Sequence, residues 1–209
     1  MSVKLAARPK AEANGRPRSP TLGLRLRTLR RAKGWTLAEV AARSGISQST
    51  LSKVENQQLS LTYDNIIRLA DGLDIDPSEL FADPGASGAN SRRSIARRGS
   101  GRRQETKNYD YFYLSADLAK KRMLPIYTTI KCHDIARFGP LVRHSGEEFI
   151  YVLRGAIEVH TEHYAPVRLE AGDGVYIDST MGHAYISVSR EDAIVLGVCA
   201  PVGKMFDEH

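Results

Sequence analysis

The hydrophobic pattern changes period part-way along the chain, and that change limits the possible folds more than any other feature. Up to residue 83, apolar side chains recur three and four positions apart, the period of a helix with one buried face. Leu22, Leu26 and Leu29 set this spacing early, and Ile66, Leu69, Ala70 and Leu73 repeat it later. From about residue 91, short β-favouring runs alternate with Gly and Asp turns, at 109–113, 126–132, 149–153, 156–161, 174–177, 184–188 and 193–198. Only 117–123 reads as helical in that half. One core does not serve both periods, so the 209 residues divide into two small domains, an α + β chain. Residues 21–83 form a helical domain. Residues 107–209 form a β-sandwich or small barrel. Residues 1–20 read as a disordered basic tail, too poor in large apolar groups to fold. Residues 84–106 open with PGASGAN and read as a basic linker with room for a first barrel strand.

The helical half divides into five short helices with their own start signals. Thr36 opens the second, with Glu39 completing a capping box. Ser47 caps the third, stapled by Ile46 and Leu51; Thr62 caps the fourth; Asp76-Pro77 opens the fifth. Between the second and third helices, Ala41 permits close approach and Gly45 supplies the positive φ of a tight turn. Val40, Ile46, Leu51 and Val54 lock the pair at a steep angle.

Net charge is +6, and its distribution is uneven: +4 over residues 1–21, zero over 22–83, +6 over 84–108 and −4 over 109–209. Basic segments beside a compact helical unit suit a polyanion such as DNA. The longest apolar runs are a few residues, so no segment is long enough to span a membrane. No apolar stretch follows the basic N-terminus, which points to the cytoplasm, where Cys132 and Cys199 are expected as buried thiols.

The run Ser-Gln-Ser-Thr-Leu-Ser-Lys-Val-Glu-Asn at 47–56, set in residues 22–81, resembles the XRE/Cro/C1-type repressor domain, a five-helix DNA-binding bundle. The resemblance implies a third helix lying in the major groove. Gln48, Ser49 and Lys53 then face base edges, and Thr36, Ser47 and Asn56 stand at helix ends against phosphates.

Two further motifs, residues 144–155 beginning His-Ser-Gly-Glu-Glu and residues 172–183 ending Met-Gly-His, resemble those of the cupin family, a double-stranded β-barrel. The resemblance spans roughly residues 107–200. Cupin metal sites take two histidines and a glutamate from the first motif and one histidine from the second. Here Val142 stands at the first histidine position, and Asp178 where the second motif usually has proline. His144, Glu148 and His183 match the other three ligands. Such a triad suits non-haem iron(II), and with water it suits zinc; a metal-free pocket hydrogen-bonding an organic ligand is the alternative. Alternation from Glu148 points Ile150 and Val152 inward as well. Tyr109, Tyr111 and Tyr113 share one strand face and either line the barrel mouth or pack against it, packing being preferred. His133, His160, His163 and His209 show no ligand spacing and are expected at the surface.

The combined resemblances imply a DNA-binding transcriptional regulator, a homodimeric repressor rather than an enzyme, whose cupin barrel binds a small-molecule or metal effector that alters operator binding. The alternative resemblance is to hydroxypropylphosphonate epoxidase, a mononuclear iron oxygenase that also joins an XRE-like domain to a cupin.

Overall fold

In the computed structural model, residues 21–81, 93–118 and 121–200 are described. The expected N-terminal tail, the 84–90 linker and His209 lie outside them.

The helical domain comprises α1 (Leu22–Ala32), α2 (Leu37–Ser44), α3 (Gln48–Glu55), α4 (Tyr63–Leu73) and a single 3-10 turn, Pro77–Leu80, in place of a fifth α-helix. The start signals act as read. The Thr36 side chain accepts from Glu39 N, and the Glu39 carboxylate accepts from Thr36 N. Ser47 accepts from Thr50 N, and Asp76 from Ser78 N. Thr62 departs from expectation: its hydroxyl accepts from Asn65 Nδ2 and makes no backbone cap. Leu26, Val40, Leu51, Ile66, Leu69 and Leu73 are fully buried between the helices. Gly72 lets α4 press onto the end of α2; a Cβ there would lie 2.8 Å from Ser44 N.

The second domain contains β1 (Arg102–Glu105), β2 (Tyr109–Tyr113), β3 (Leu124–Ile130), a short α5 (Ile135–Phe138), β4 (Glu147–Arg154), β5 (Ala156–Thr161), β6 (Val167–Glu170), β7 (Gly174–Asp178), β8 (His183–Ser187) and β9 (Ala193–Ala200). These form a six-stranded sheet, β1-β2-β3-β9-β4-β7, and a three-stranded sheet, β6-β5-β8, with every pairing antiparallel. β2 and β3 alternate strictly between buried and half-buried residues, so one face of each lies in the core. The Tyr109 hydroxyl links the two sheets, donating to Tyr185 O (3.2 Å) and accepting from Tyr185 N (3.0 Å).

Three elements differ from the sequence expectation. β6, Val-Arg-Leu-Glu, is a sheet-edge strand with mainly exposed side chains, so no apolar alternation marks it; β1, Arg-Arg-Gln-Glu, is also an edge strand and falls in the 84–106 stretch that left room for a first barrel strand. The stretch 117–123 is turn and coil in its described residues. The helix of this domain is instead α5, begun by Asp134 accepting from Ala136 N.

The two domains share a seam. Gln104 of β1 donates through Nε2 to Leu61 O. Phe81 stacks on Tyr113 with ring centroids 3.9 Å apart.

Candidate functional site

The turn between α2 and α3 is built on Gly45, at φ 66°, whose N–H donates to Ala41 O at 2.9 Å. Arg68 of α4 holds the same turn from outside, Nη2 donating to Gly45 O at 2.7 Å. At the far end of α3, the buried Glu55 carboxylate receives Arg30 Nε (2.6 Å), Arg30 Nη2 (2.9 Å) and Arg27 Nε (3.1 Å), clamping α3 to α1. Burial opposes the charged form of Glu55, but these charge-assisted bonds outweigh it and hold the carboxyl below its ordinary value. Pinned at both ends, α3 buries Leu51 and Val54 and leaves Gln48, Ser49 and Lys53 exposed.

The residues expected against phosphates are more committed than the sequence implies. The Thr36 hydroxyl donates to the Glu39 carboxylate (2.8 Å) while accepting from Glu39 N. That carboxylate already serves the N-terminus of α2. Asn56 Oδ1 accepts from Arg27 Nη2 at 2.8 Å. Ser47 is exposed but engaged with Thr50 N and Oγ1.

In the barrel, two loops are laced together. Val142 and His183 exchange both backbone hydrogen bonds at 3.0 Å, and His144 N donates to Ser179 O at 3.0 Å. This lacing sets His144 beside His183, ring centroids 5.2 Å apart, opposite Glu148 on β4. All three side chains are buried, and their donor atoms lie within 4.8 Å of one another. His144 Nδ1 faces Ser145 O (3.2 Å) and His183 Nδ1 faces Met181 O (2.9 Å). A carbonyl only accepts, so each neutral ring carries its proton on Nδ1 and keeps a lone pair on Nε2. The two Nε2 atoms lie 3.4 and 3.7 Å from Glu148 Oε2. Burial pushes the His183 pKa down, past the opposing pull of Glu148, which favours the neutral ring. Two lone pairs facing a carboxylate repel unless a proton or cation lies among them. Backbone-anchored rings are also the usual outer support of a metal site. The residues present therefore fit a divalent metal.

The cavity before the triad has a volume of about 40 Å³, room for roughly three waters. Tyr109, Tyr111 and Tyr185 line it, together with Ile150, Val195 and Gly197. The tyrosine strand thus does more than pack: Tyr109 and Tyr111 face the cavity, while Tyr113 is buried against Phe81. Val142 sits in the wall where the family pattern has a histidine. Ile150 lines the cavity as strand alternation implies, and Val152 is buried further along β4. His133 pairs with Asp192, and His163 is exposed beside Glu162. His160, its side chain mostly buried, lies next to Glu158 and away from the triad. Both cysteines are free and buried. Two cavity residues escape any reading of the barrel alone: Tyr63 and Asp64, from the helical domain.

Residues 26–80 match the helix-turn-helix family and residues 136–199 match the cupin domain family. The chain joins an XRE-type helix-turn-helix domain to a cupin domain. Among solved structures, an HTH_3 family transcriptional regulator from Vibrio cholerae has a similar fold (TM-score 0.55, 20% identity), covering 86% of this chain and 94% of that one. Hydroxypropylphosphonic acid epoxidase from S. wedmorenis aligns at a TM-score of 0.48 and 20% identity, over 85% of this chain and 96% of that one. No curated protein matches the chain by sequence. Among the described residues, no helix is long and apolar enough to cross a membrane.

Proposed function

We propose that the protein is a cytoplasmic DNA-binding transcriptional regulator, a repressor, whose cupin pocket binds a small-molecule or metal effector that modulates operator binding. The observation that carries this is the face of α3: Gln48, Ser49 and Lys53 are exposed together on a helix whose other side is locked into the core. Gln48 suits a bidentate contact to adenine, and Lys53 suits the acceptors of guanine. The similarly folded Vibrio cholerae protein is a transcriptional regulator.

His144 and His183 through Nε2, and Glu148 through its carboxylate, are the residues that would hold a divalent metal, zinc or iron(II). Bound there, it supplies a Lewis-acidic point open to a small donor ligand. The protein's own residues fix the rings through Ser145 O and Met181 O, and the tyrosine and aliphatic walls exclude bulk water. The same triad favours a second reading, a mononuclear iron oxygenase. That reading assigns no role to the exposed side of α3.

One recognition helix is a small reading head, so two copies reading half-sites about 34 Å apart form the operator-binding unit. The surface for pairing is an apolar stripe on the outer side of the larger sheet. Phe149, Tyr151 and Leu153 of β4 are exposed there, with Tyr176 of edge strand β7 directly across from Phe149.

The test is operator selection followed by binding to selected and random duplexes. Gln48→Ala is expected to cost about 1–3 kcal/mol on the selected site and nothing on random DNA. Equal loss on both refutes the base contact. His183→Ala is expected to abolish the response to added metal while preserving operator binding. Iron-dependent turnover that depends on His183, without specific duplex binding, establishes the oxygenase reading instead.

A further inference from the structure

Tyr63 and Asp64 are the first two residues of α4, in the DNA-binding domain, yet both line the barrel cavity. The Tyr63 ring stands edge-on to the triad's His144, centroids 4.8 Å apart, and shares the cavity wall with Cys199. Asp64 Oδ1 is buried and has no hydrogen-bond partner. A buried carboxylate oxygen left in that state is unfavourable and calls for a ligand or a cation.

The charge inventory of the cavity is one-sided. Glu148 and Asp64 contribute carboxylates, and no lysine or arginine is among the lining residues. A divalent cation held by two neutral imidazoles and one carboxylate retains one positive charge. Asp64 supplies the carboxylate that balances it. The cavity, about 40 Å³, has space for an ion with a few waters rather than for a large organic molecule.

α4 has little freedom to move alone. Arg68, one turn further along, holds Gly45 O in the turn that orients the recognition helix. Gly72 is pressed against Ser44, the last residue of α2. A shift of the start of α4 is therefore passed to the α2–α3 turn.

We infer that Tyr63 and Asp64 are the sensing residues of the barrel pocket: a divalent cation at His144, Glu148 and His183 draws the Asp64 carboxylate toward it, and the resulting hold on α4 sets the position of the helix-turn-helix. This rests on the reading of the barrel as a regulatory site. It places the coupling in a direct contact between the domains. The cation changes DNA affinity only so far as it binds the two arrangements of the domains differently.

The test uses the full chain with Zn²⁺ or Co²⁺ as the only added ligand, comparing wild type, Asp64→Asn and His183→Ala. Three quantities are measured: metal dissociation constant by calorimetry, amide hydrogen exchange across residues 61–68, and operator affinity with and without metal. In the wild type, metal is expected to slow exchange at the start of α4 and to shift operator affinity several-fold. Asp64→Asn keeps the side-chain shape, so it is expected to fold; it should bind metal at least tenfold more weakly and lose the operator response. His183→Ala should bind neither ion. If Asp64→Asn retains wild-type affinity, exchange and operator response while His183→Ala does not, the role of Asp64 is wrong and the regulatory barrel stands. If the wild type binds neither ion, the metal reading of the pocket falls, and this inference with it.

Discussion

Glu55 provides the sharpest test of how the recognition helix is held. Its side chain is 4% exposed, against 14% for Arg30 and 34% for Arg27. Glu55→Gln removes the charge and leaves one oxygen to serve three N–H donors. The Arg30 pair is largely shielded and doubly bonded, so its charge-assisted bonds are worth about 2–3 kcal/mol. The Arg27 pair is a third exposed and contributes at most about 1 kcal/mol after solvent screening. Together the loss is about 3 kcal/mol, which for a domain this small lowers Tm by roughly 12–24 °C. Calorimetry or denaturant titration of the full chain, following the helical transition, measures it. Because the folded carboxyl titrates below its unfolded value, its contribution is complete above the ordinary carboxylate pKa of about 4.3. The gap between wild type and variant should therefore be constant at neutral pH. It should shrink below about pH 4.3 and close once folded Glu55 is protonated. A loss under about 1 kcal/mol at neutral pH, or a gap that persists through acid titration, would refute the clamp.

Three further outcomes follow from local geometry. Gly45→Ala places a Cβ 2.6 Å from Arg68 Nη2 at φ 66°, so it is expected to destabilise by about 1–2 kcal/mol and weaken operator binding; unchanged Tm contradicts the strain. Tyr109→Phe orphans the Tyr185 backbone groups between the two sheets and should cost the barrel about 1–3 kcal/mol in chemical denaturation, whereas a neutral result would show that another group takes over the link. Tyr151→Lys in the exposed β4 stripe should convert the proposed dimer to monomer in light scattering and abolish cooperative operator binding, with Tm of the isolated protomer unchanged; a variant that stays dimeric moves the interface elsewhere.

What the sequence by itself determined was whatever depends on neighbours along the chain. Capping by Thr36, Ser47 and Asp76 spans two or three residues, and the turn at Gly45 needs only one residue able to take positive φ. The apolar stretches of β2, β3, β4, β5, β7, β8 and β9 were legible because burial on one or both faces imposes an apolar pattern. His144, Glu148 and His183 could be named because motif spacing carries them, and the structure brings them together. β6 was not legible, and β1 only as room for a strand within 84–106, because edge strands that keep polar side chains in solvent have backbone pairing as their main signature. Tertiary structure alone decided that Tyr109 and Tyr111 face the cavity, since both faces of a strand look alike until a second sheet covers one of them. It also decided that Thr36 and Asn56 are occupied internally, by Glu39 and Arg27. Above all, it decided that Tyr63 and Asp64 close a pocket whose triad begins eighty residues later. In the sequence they are an ordinary first helical turn, with an acidic residue where the helix dipole favours one. Only the packing of one domain on the other turns that carboxylate inward, leaves Oδ1 without a partner and makes the helical domain part of the barrel cavity's wall.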